Sequence, residues 1–217
     1  YFKEARALLG YGVVVRREGP YRVALLEKEK EAPPLPSLWR AFSARIPGAE
    51  YTFHHLPGVF SAGKVDPASL LLLEALQERL GPEGVRGRQV LDLGAGYGAL
   101  TLPLARMGAE VVGVEDDLAS VLSLQKGLEA NALKAQALHS DVDEALTEEA
   151  RFDIIVTNPP FHVGGAVILD VAQAFVDVAA ARLRPGGVFF LVSNPFLKYE
   201  PLLEEKFGAF QTLKVAE

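Results

Sequence analysis

The most informative segment of this 217-residue chain reads VLDLGAGYGAL, residues 90–100. A short, largely apolar run leads into three glycines at alternate positions, and a helical pattern follows. Glycine lets the backbone adopt positive φ and approach another group closely, and the N-terminus of the next helix exposes free N–H groups. The segment therefore predicts a strand, a tight turn and a helix, with a ligand site at the turn.

The same alternation of strand and helix continues on both sides of this segment. Strands are predicted at residues 51–55, 89–93, 110–115, 135–140, 152–157, 187–193 and 209–215. Helices are predicted at residues 67–80, 99–107, 118–130, 166–183 and 199–207, the first of them capped by Asp66. Strands rich in Val, Ile and Leu with little alternation are typical of a parallel sheet buried on both faces. We therefore predict an α/β fold with a doubly wound sheet.

The first fifty residues are organised differently. Residues 11–26 predict a β-hairpin with its turn at residues 18–20, and the charged, Pro-rich residues 27–36 predict a linker. The chain begins with Tyr1 rather than Met and ends just after an apolar run, so we expect a piece of a longer protein. We interpret residues 1–50 as a linker or the tail of a preceding domain, and residues 51–217 as one domain truncated at its C-terminus.

Composition excludes several classes of protein. Hydrophobic residues make up 49% and charged residues 23%, which is typical of globular proteins, and no apolar stretch is long enough to predict a membrane span. Cysteine is absent, which excludes disulfides, thiol catalysis and Cys-ligated zinc and favours a reducing cytoplasm. One Met and three Asn indicate a heat-adapted source. The net charge is −6, which argues against tight non-specific nucleic-acid binding by this segment alone.

Carboxylates stand at the ends of three successive predicted strands. Asp92 precedes the glycines and suits a cationic group such as an ammonium; Glu115, followed by Asp116, suits the two hydroxyls of a ribose. Asp141 is placed to accept from an adenine amino group. The spacing G-x-G-x-G differs from the G-x-G-x-x-G of dinucleotide sites, which disfavours a nicotinamide dehydrogenase. The pattern predicts an adenosyl ligand; the alternative is a purely structural turn.

A second motif, Asn158-Pro159-Pro160-Phe161, follows the predicted strand at residues 152–157. Two prolines stiffen the turn, so that the Asn158 side-chain oxygen and the Pro159 carbonyl can point together into the cleft. Two converging acceptors suit a planar amino group, and Phe161 offers a face on which a base can stack. The alternative is a rigid turn without a chemical role.

These residues resemble the class I methyltransferases, with Asp92 and Gly94–Gly98 matching the first motif, Glu115 the second and Asp141 the third. The resemblance implies a seven-stranded Rossmann-like sheet and S-adenosyl-L-methionine (AdoMet) as cofactor. It assigns cofactor binding to Asp92, Gly94, Ala95, Gly96, Gly98, Glu115, Asp116, Asp141 and Asn158. The Asn-Pro-Pro-Phe turn is similar to that of enzymes that methylate adenine N6, guanine N2 or a glutamine amide.

Flanking residues narrow the resemblance. The run Asn158-Pro-Pro-Phe-His162, the upstream Pro57-Gly-Val-Phe-Ser61 and the later Pro185-Gly-Gly187 resemble the RsmC-type family of bacterial 16S rRNA guanine-N2 methyltransferases, over residues 51–215. The resemblance implies that residues 51–217 are the catalytic domain and that 16S rRNA or the small ribosomal subunit is the partner. It makes Asn158, Pro159 and Phe161 catalytic residues.

The same resemblance implies further contacts. Phe60, Ser61 and Lys64 would form a flap over the methionine end of the cofactor, and Pro160, Phe161 and His162 would contact the base. Other interpretations remain: Lys64 as a surface residue, Phe60 as core, His162 as a loop hydrogen-bonding residue, and Asp66 as a helix cap. No metal set is predicted, and the sequence leaves the oligomeric state open. The alternative functions are an adenine-N6 RNA methyltransferase, a glutamine-amide N5 methyltransferase and a non-catalytic RNA-docking domain.

Overall fold

The computed structural model describes residues 1–29, 31, 37–46, 48–81, 83–160 and 167–213. Its contacts divide the chain into two compact units, Tyr1–Leu38 and Trp39–Glu217. Part of the predicted linker, residues 30 and 32–36, lies outside the described residues. Residues 39–50, which the sequence-based division placed before the catalytic domain, share their contacts with the larger unit.

The smaller unit contains one helix and one antiparallel hairpin. Helix α1 (Phe2–Leu9) precedes strands β1 (Gly10–Glu18) and β2 (Tyr21–Lys28). The hairpin pairs Glu18 with Tyr21 around the Gly19-Pro20 turn, as the sequence predicts.

The larger unit is built on a parallel five-stranded sheet. Its elements in chain order are β3 (Arg40–Ile46), β4 (Ala49–His55), α2 (Pro67–Leu80), β5 (Gln89–Leu93), α3 (Thr101–Arg106), β6 (Glu110–Glu115), α4 (Leu118–Ala130), β7 (Gln136–His139), β8 (Phe152–Thr157), α5 (Val167–Arg182), β9 (Leu183–Leu191), a 3-10 turn (Pro195–Leu197) and α6 (Glu200–Phe207). The order in the sheet is β7-β6-β5-β8-β9, and β3 and β4 form a separate antiparallel pair. The predicted doubly wound α/β fold is confirmed.

Both faces of the parallel sheet are buried. On β5, Val90 packs into one apolar cluster and Leu91 into another, and on β8 Ile154 and Ile155 divide in the same way. Alternate residues of a strand point to opposite faces, so two clusters require apolar residues at nearly every position. This explains the continuous apolar runs in the sequence.

Some predicted elements differ from the structure. The described residues place five strands in the parallel sheet, against the seven that the resemblance implies, and residues 209–213 of the last predicted strand form no strand. Strand β3 is absent from the sequence-based prediction, and β9 begins at Leu183 rather than residue 187. The register between β8 and β9 shifts between Phe152 and Ile154, because the Arg-Pro-Gly-Gly run lengthens β9 relative to its partner.

The sheet order places a crevice between β5 and β8. From β5 the chain continues outward to β6 and β7, and from β8 it continues in the other direction to β9. Ligands of doubly wound sheets bind at the carboxyl ends of the strands where the direction reverses. Because Leu93 pairs with Thr157, the glycine turn after β5 and Asn158 after β8 leave the sheet side by side.

Candidate active site

A cavity opens at this crevice between the glycine turn and the start of α2. It is lined by Phe60, Asp66, Ser69, Asp92, Gly94, Ala95, Gly96, Tyr97, Ala99, Leu100 and Asn158. The lining comes from four parts of the larger unit: the segment before α2, the first turn of α2, β5 with its following turn, and the residue after β8. Most of the wall is backbone and apolar surface, so the few polar atoms on it determine which ligand groups fit.

The glycine turn has a backbone conformation that side chains disfavour. Gly94, Gly96 and Gly98 have φ of 72°, 55° and 97°. A Cβ on Gly98 would lie 2.4 Å from Leu102 Cδ1 and 2.5 Å from Leu124 Cδ1, whereas a Cβ on Gly96 would meet nothing within 4 Å. Gly98 is therefore required for packing against the core, and Gly96 leaves open space on the side of the cavity.

Asp92 presents a buried carboxyl group to this cavity. Thr101 Oγ1 donates to its Oδ2 at 2.6 Å, while Oδ1 is buried and has no hydrogen-bond partner in the described part of the chain. Burial raises the pKa of Asp92 to about 7, and the Thr101 hydrogen bond opposes this rise. An unpaired buried acceptor is costly, so Oδ1 suits a ligand that brings a donor, above all a cationic one.

Glu115 lies at the end of β6 and contacts the glycine turn. Its Oε2 accepts from the Gly96 N–H at 2.8 Å, and its Oε1 accepts from the Asp117 N–H at 3.1 Å. Burial is the main cause that raises the pKa of Glu115 to about 7, and neighbouring Asp116 adds to it. Each carboxylate oxygen can accept a second hydrogen bond, so both oxygens can still receive ribose hydroxyls.

Asn158 contributes a further polar group to the cavity wall. Its Nδ2 donates to Asp66 Oδ2 at 2.8 Å and to Ser69 Oγ at 3.0 Å. Its Oδ1 is buried and lacks a partner among the residues that the structure describes. An acceptor is thus held at the cavity beside the buried ring of Pro159. This arrangement can receive one hydrogen of an amino group.

Comparison with known proteins agrees with this geometry. A family model described as the methyltransferase small domain matches residues 50–217. The chain belongs to the methyltransferase small domain family. No helix among the described residues is long and apolar enough to cross a membrane.

Relatives within the family carry a more specific name. Ribosomal RNA small subunit methyltransferase C of Chromohalobacter salexigens is 39% identical over 175 residues, which cover 81% of this chain and 50% of the relative. The protein of the same name from Stutzerimonas stutzeri is 35% identical over 191 residues, covering 87% and 55%. The chain spans about half the length of these curated relatives. The sequence resemblance to the RsmC-type family is confirmed.

Solved structures of similar fold include the T. thermophilus 16S rRNA N2 G1207 methyltransferase (RsmC) in complex with AdoMet and guanosine. It has a TM-score of 0.93 and 99% identity to this chain, covering all of it and 58% of that protein. An AdoMet-dependent methyltransferase from Agrobacterium tumefaciens has a TM-score of 0.62 at 21% identity, covering 80% of this chain and 60% of its own, and supports the fold alone.

The family member described here brings many of the predicted site residues together. The cavity wall includes Phe60, Asp92, Gly94, Ala95, Gly96 and Asn158. Glu115 joins the cavity through Gly96, and Lys64 joins it through its carbonyl, which accepts from Tyr97 Oη at 3.0 Å and from Ser61 Oγ at 3.2 Å. The binding roles of these residues stay predictions.

Other predicted residues lie away from the cavity wall or outside the described chain. Asp116 and Asp141 are exposed near the ends of β6 and β7, and Pro160 is exposed. Phe161 and His162 lie outside the described residues.

Sequence reasoning missed three polar residues of the site. Ser69 and Thr101 are buried and bond to Asn158 and Asp92, and the buried Tyr97 phenol bonds to the segment before α2. Burial raises the pKa of Tyr97, which keeps its hydroxyl a donor. The signal available for Tyr97 is its position between two glycines of the turn, where a large side chain is unexpected. Asp66 caps α2 as predicted, and it also accepts from Asn158.

Proposed function

We propose that this chain is the catalytic part of an AdoMet-dependent methyltransferase that modifies the exocyclic N2 amine of a guanine in 16S rRNA. The observation that carries the proposal is the buried Oδ1 of Asn158 beside the glycine turn, which no described residue pairs with. Membership of the methyltransferase small domain family and similarity to ribosomal RNA small subunit methyltransferases C support the choice of reaction and substrate.

The residues on the cavity wall fit AdoMet. The second unpaired acceptor, Asp92 Oδ1, suits the ammonium of its methionine part, and the Glu115 carboxylate suits its ribose. The open space above Gly96 allows the backbone to lie against the ligand. When bound, AdoMet would supply a methyl group on a positively charged sulfur, which needs only a well-oriented nucleophile.

Asn158 would orient that nucleophile. Its Oδ1 receives one hydrogen of the amine, and the Pro159 carbonyl is the predicted acceptor for the other. Holding both hydrogens fixes the plane of the amino group and directs the nitrogen lone pair toward the methyl donor. Both acceptors also stabilise positive charge as it develops on the nitrogen, so no strong base is needed. As the N–CH₃ bond forms, the S–CH₃ bond would break and the donor would leave as a neutral thioether. The methylated amine would then release one proton to water.

The remaining assignments form part of the same proposal. Phe60, Ser61 and Lys64 would cover the methionine end, and Phe161 and His162 would contact the base. Residues 51–217, with β3 packed beside them in the larger unit, would be the catalytic domain. The partner would be 16S rRNA or the small subunit in the cytoplasm. Because the chain is acidic overall, we expect other parts of the full-length protein to contribute to RNA capture.

Product analysis tests the proposal. The full-length protein is incubated with tritiated AdoMet and unmodified 16S rRNA, and the digested nucleosides are separated. We expect label in N2-methylguanosine. Label in N6-methyladenosine would favour an adenine-N6 methyltransferase, and label in a protein substrate would favour a glutamine-amide methyltransferase. AdoMet binding by calorimetry without any transfer would favour the non-catalytic docking domain.

A further inference from the structure

The side-chain amide of Asn158 is held from the side opposite the predicted substrate. Both of its hydrogens have acceptors on the first turn of α2, Asp66 Oδ2 at 2.8 Å and Ser69 Oγ at 3.0 Å. An amide nitrogen carries two hydrogens, so its donor capacity is filled there. The amide oxygen is left buried at the cavity, with no partner in the part of the chain that the structure describes.

The chemistry of Asp66 permits only one orientation of this amide. An ionised carboxylate accepts hydrogen bonds and cannot donate them. A flipped Asn158 would place its oxygen against the carboxylate oxygen and turn its NH₂ toward the incoming amine, so that two donors would face each other. We propose that Asp66 and Ser69 are positioning residues for methyl transfer, which fix the Asn158 amide with its oxygen toward the substrate. This inference rests on the proposed function.

Both positioning groups are part of a rigid helix start. Asp66 Oδ2 also accepts from the Ser69 N–H at 3.3 Å, which caps the fourteen-residue α2, and Ser69 is only 3% exposed. Leu72, Leu73 and Leu76 anchor the same helix in the core. The segment before the helix is tied to the glycine turn by the Tyr97–Lys64 hydrogen bond. A shift of α2 would therefore move the two acceptors and the amide that they hold.

The decisive variant is Asp66→Gly in the full-length protein. Glycine is tolerated at helix N-caps, so the fold is kept, but it removes the carboxylate that opposes the flipped Asn158 and leaves only Ser69 Oγ, which can donate as well as accept. We expect single-turnover methyl transfer to slow about 10- to 100-fold, with the Kd for AdoMet unchanged within about twofold. In an Asn158→Ala background the same change should cost nothing further, because Asp66 acts through Asn158.

A matched control and a second variant complete the test. Asp153→Asn alters a carboxylate at the other end of β8 that also accepts two hydrogen bonds, and it should leave the transfer rate unchanged. Ser69→Ala removes one acceptor and keeps the cap, and we expect a loss of about three- to tenfold. If Asp66→Gly fails to fold, Ser69→Ala alone and in the Asn158→Ala background decides the question.

A structural readout is independent of turnover. In ¹H–¹⁵N spectra of the protein without AdoMet or RNA, the side-chain NH₂ of Asn158, assigned by its loss in Asn158→Ala, should shift in Asp66→Gly and Ser69→Ala but not in Asp153→Asn. A wild-type rate in Asp66→Gly, an equal loss in both backgrounds, or weakened AdoMet binding would overturn the inference. If the wild-type protein methylates nothing, the proposed function fails, and the NH₂ shift still reports whether Asp66 holds the amide.

Discussion

At the scale of single residues, the site depends on two buried oxygens that the described chain leaves unpaired. Asp92 Oδ1 and Asn158 Oδ1 both lie at the cavity, and each belongs to a side chain whose other polar atom is firmly bonded. Leaving a buried acceptor unpaired costs about 1–3 kcal/mol. The protein therefore gives up stability at the two points where a ligand is expected to bring donors.

Asp92→Asn tests the cost of burying the Asp92 charge through the pH dependence of stability. Burial raises the pKa of Asp92 to about 7 from 3.8, so the neutral form favours the folded state. That stability is fully present below the unfolded pKa and is lost as pH rises to about 7. Asparagine stays neutral, so its own free energy of unfolding does not fall in this way. The difference in free energy of unfolding between variant and wild type, measured with urea, should therefore rise by about 3 kcal/mol from pH 5 to pH 8. Its affinity for AdoMet should fall. If the stability difference between variant and wild type does not vary with pH, the raised pKa of Asp92 is contradicted.

Glu115→Ala tests the predicted ribose contact. Because the carboxylate also bonds to the Gly96 N–H, we expect the Kd for AdoMet to rise more than about tenfold while the transfer rate at saturation changes little. Glu110→Ala, an exposed carboxylate at the start of the same strand, is the matched control and should bind normally. Calorimetry gives both affinities, and equal binding by the two variants would argue against a cofactor role for Glu115.

At the scale of elements, two glycines of the same turn have different roles: Gly98 is needed for packing and Gly96 for binding. Gly98→Ala would force a Cβ against Leu102 and Leu124 at a positive φ, so we expect it to destabilise the fold by several kcal/mol. Gly96→Ala meets open space and should cost only about 1 kcal/mol, for its φ. The added methyl would narrow the cavity, so this folded variant should bind AdoMet more weakly. Thermal unfolding measures the stability of both variants, and calorimetry measures AdoMet binding by Gly96→Ala. Equal stability of the two variants would contradict the different roles of Gly96 and Gly98.

The elements also show what sequence can predict. Strands β5, β6 and β8 and helix α4 agree with the predicted bounds, because buried apolar runs, glycine turns and the Asp117 cap are local signals. The sequence of β3 breaks strict alternation, since Ala41 and Phe42 are both apolar, and the strand forms through pairing with β4, where the Phe42 ring packs against Phe53 and Tyr97. Such pairing depends on the tertiary structure and leaves a weak local signal.

The candidate site likewise contains residues that the sequence predicts and contacts that it does not. Asp92, Glu115 and Asn158 follow from one rule, that carboxyl ends of neighbouring parallel strands meet at one edge. The bond from Asn158 to Asp66 joins residues 92 positions apart, and it exists because α2 shares an apolar cluster with residues of β5 and β8. Nothing in the local sequence indicates that contact, nor the contact of Tyr97 with the backbone of Lys64.

At the scale of the whole molecule, the cavity belongs entirely to the larger unit. The described residues that line its wall lie between Phe60 and Asn158, and the apolar clusters around it come from residues after Trp39. We therefore expect the fragment Trp39–Glu217 to fold alone and to bind AdoMet with the affinity of the full chain. Circular dichroism and calorimetry check both points. A fragment that folds but binds AdoMet at least tenfold more weakly would assign residues 1–38 a part in the site.

The most direct test of the central claim measures Asn158→Ala in the full-length protein, with single-turnover methyl transfer to 16S rRNA and AdoMet affinity determined side by side. Removing the unpaired acceptor should slow transfer by about 100- to 1,000-fold and leave the Kd for AdoMet within about threefold of wild type. Equal losses of rate and affinity would show that Asn158 serves the cofactor rather than the amine. A wild-type rate would contradict the account altogether.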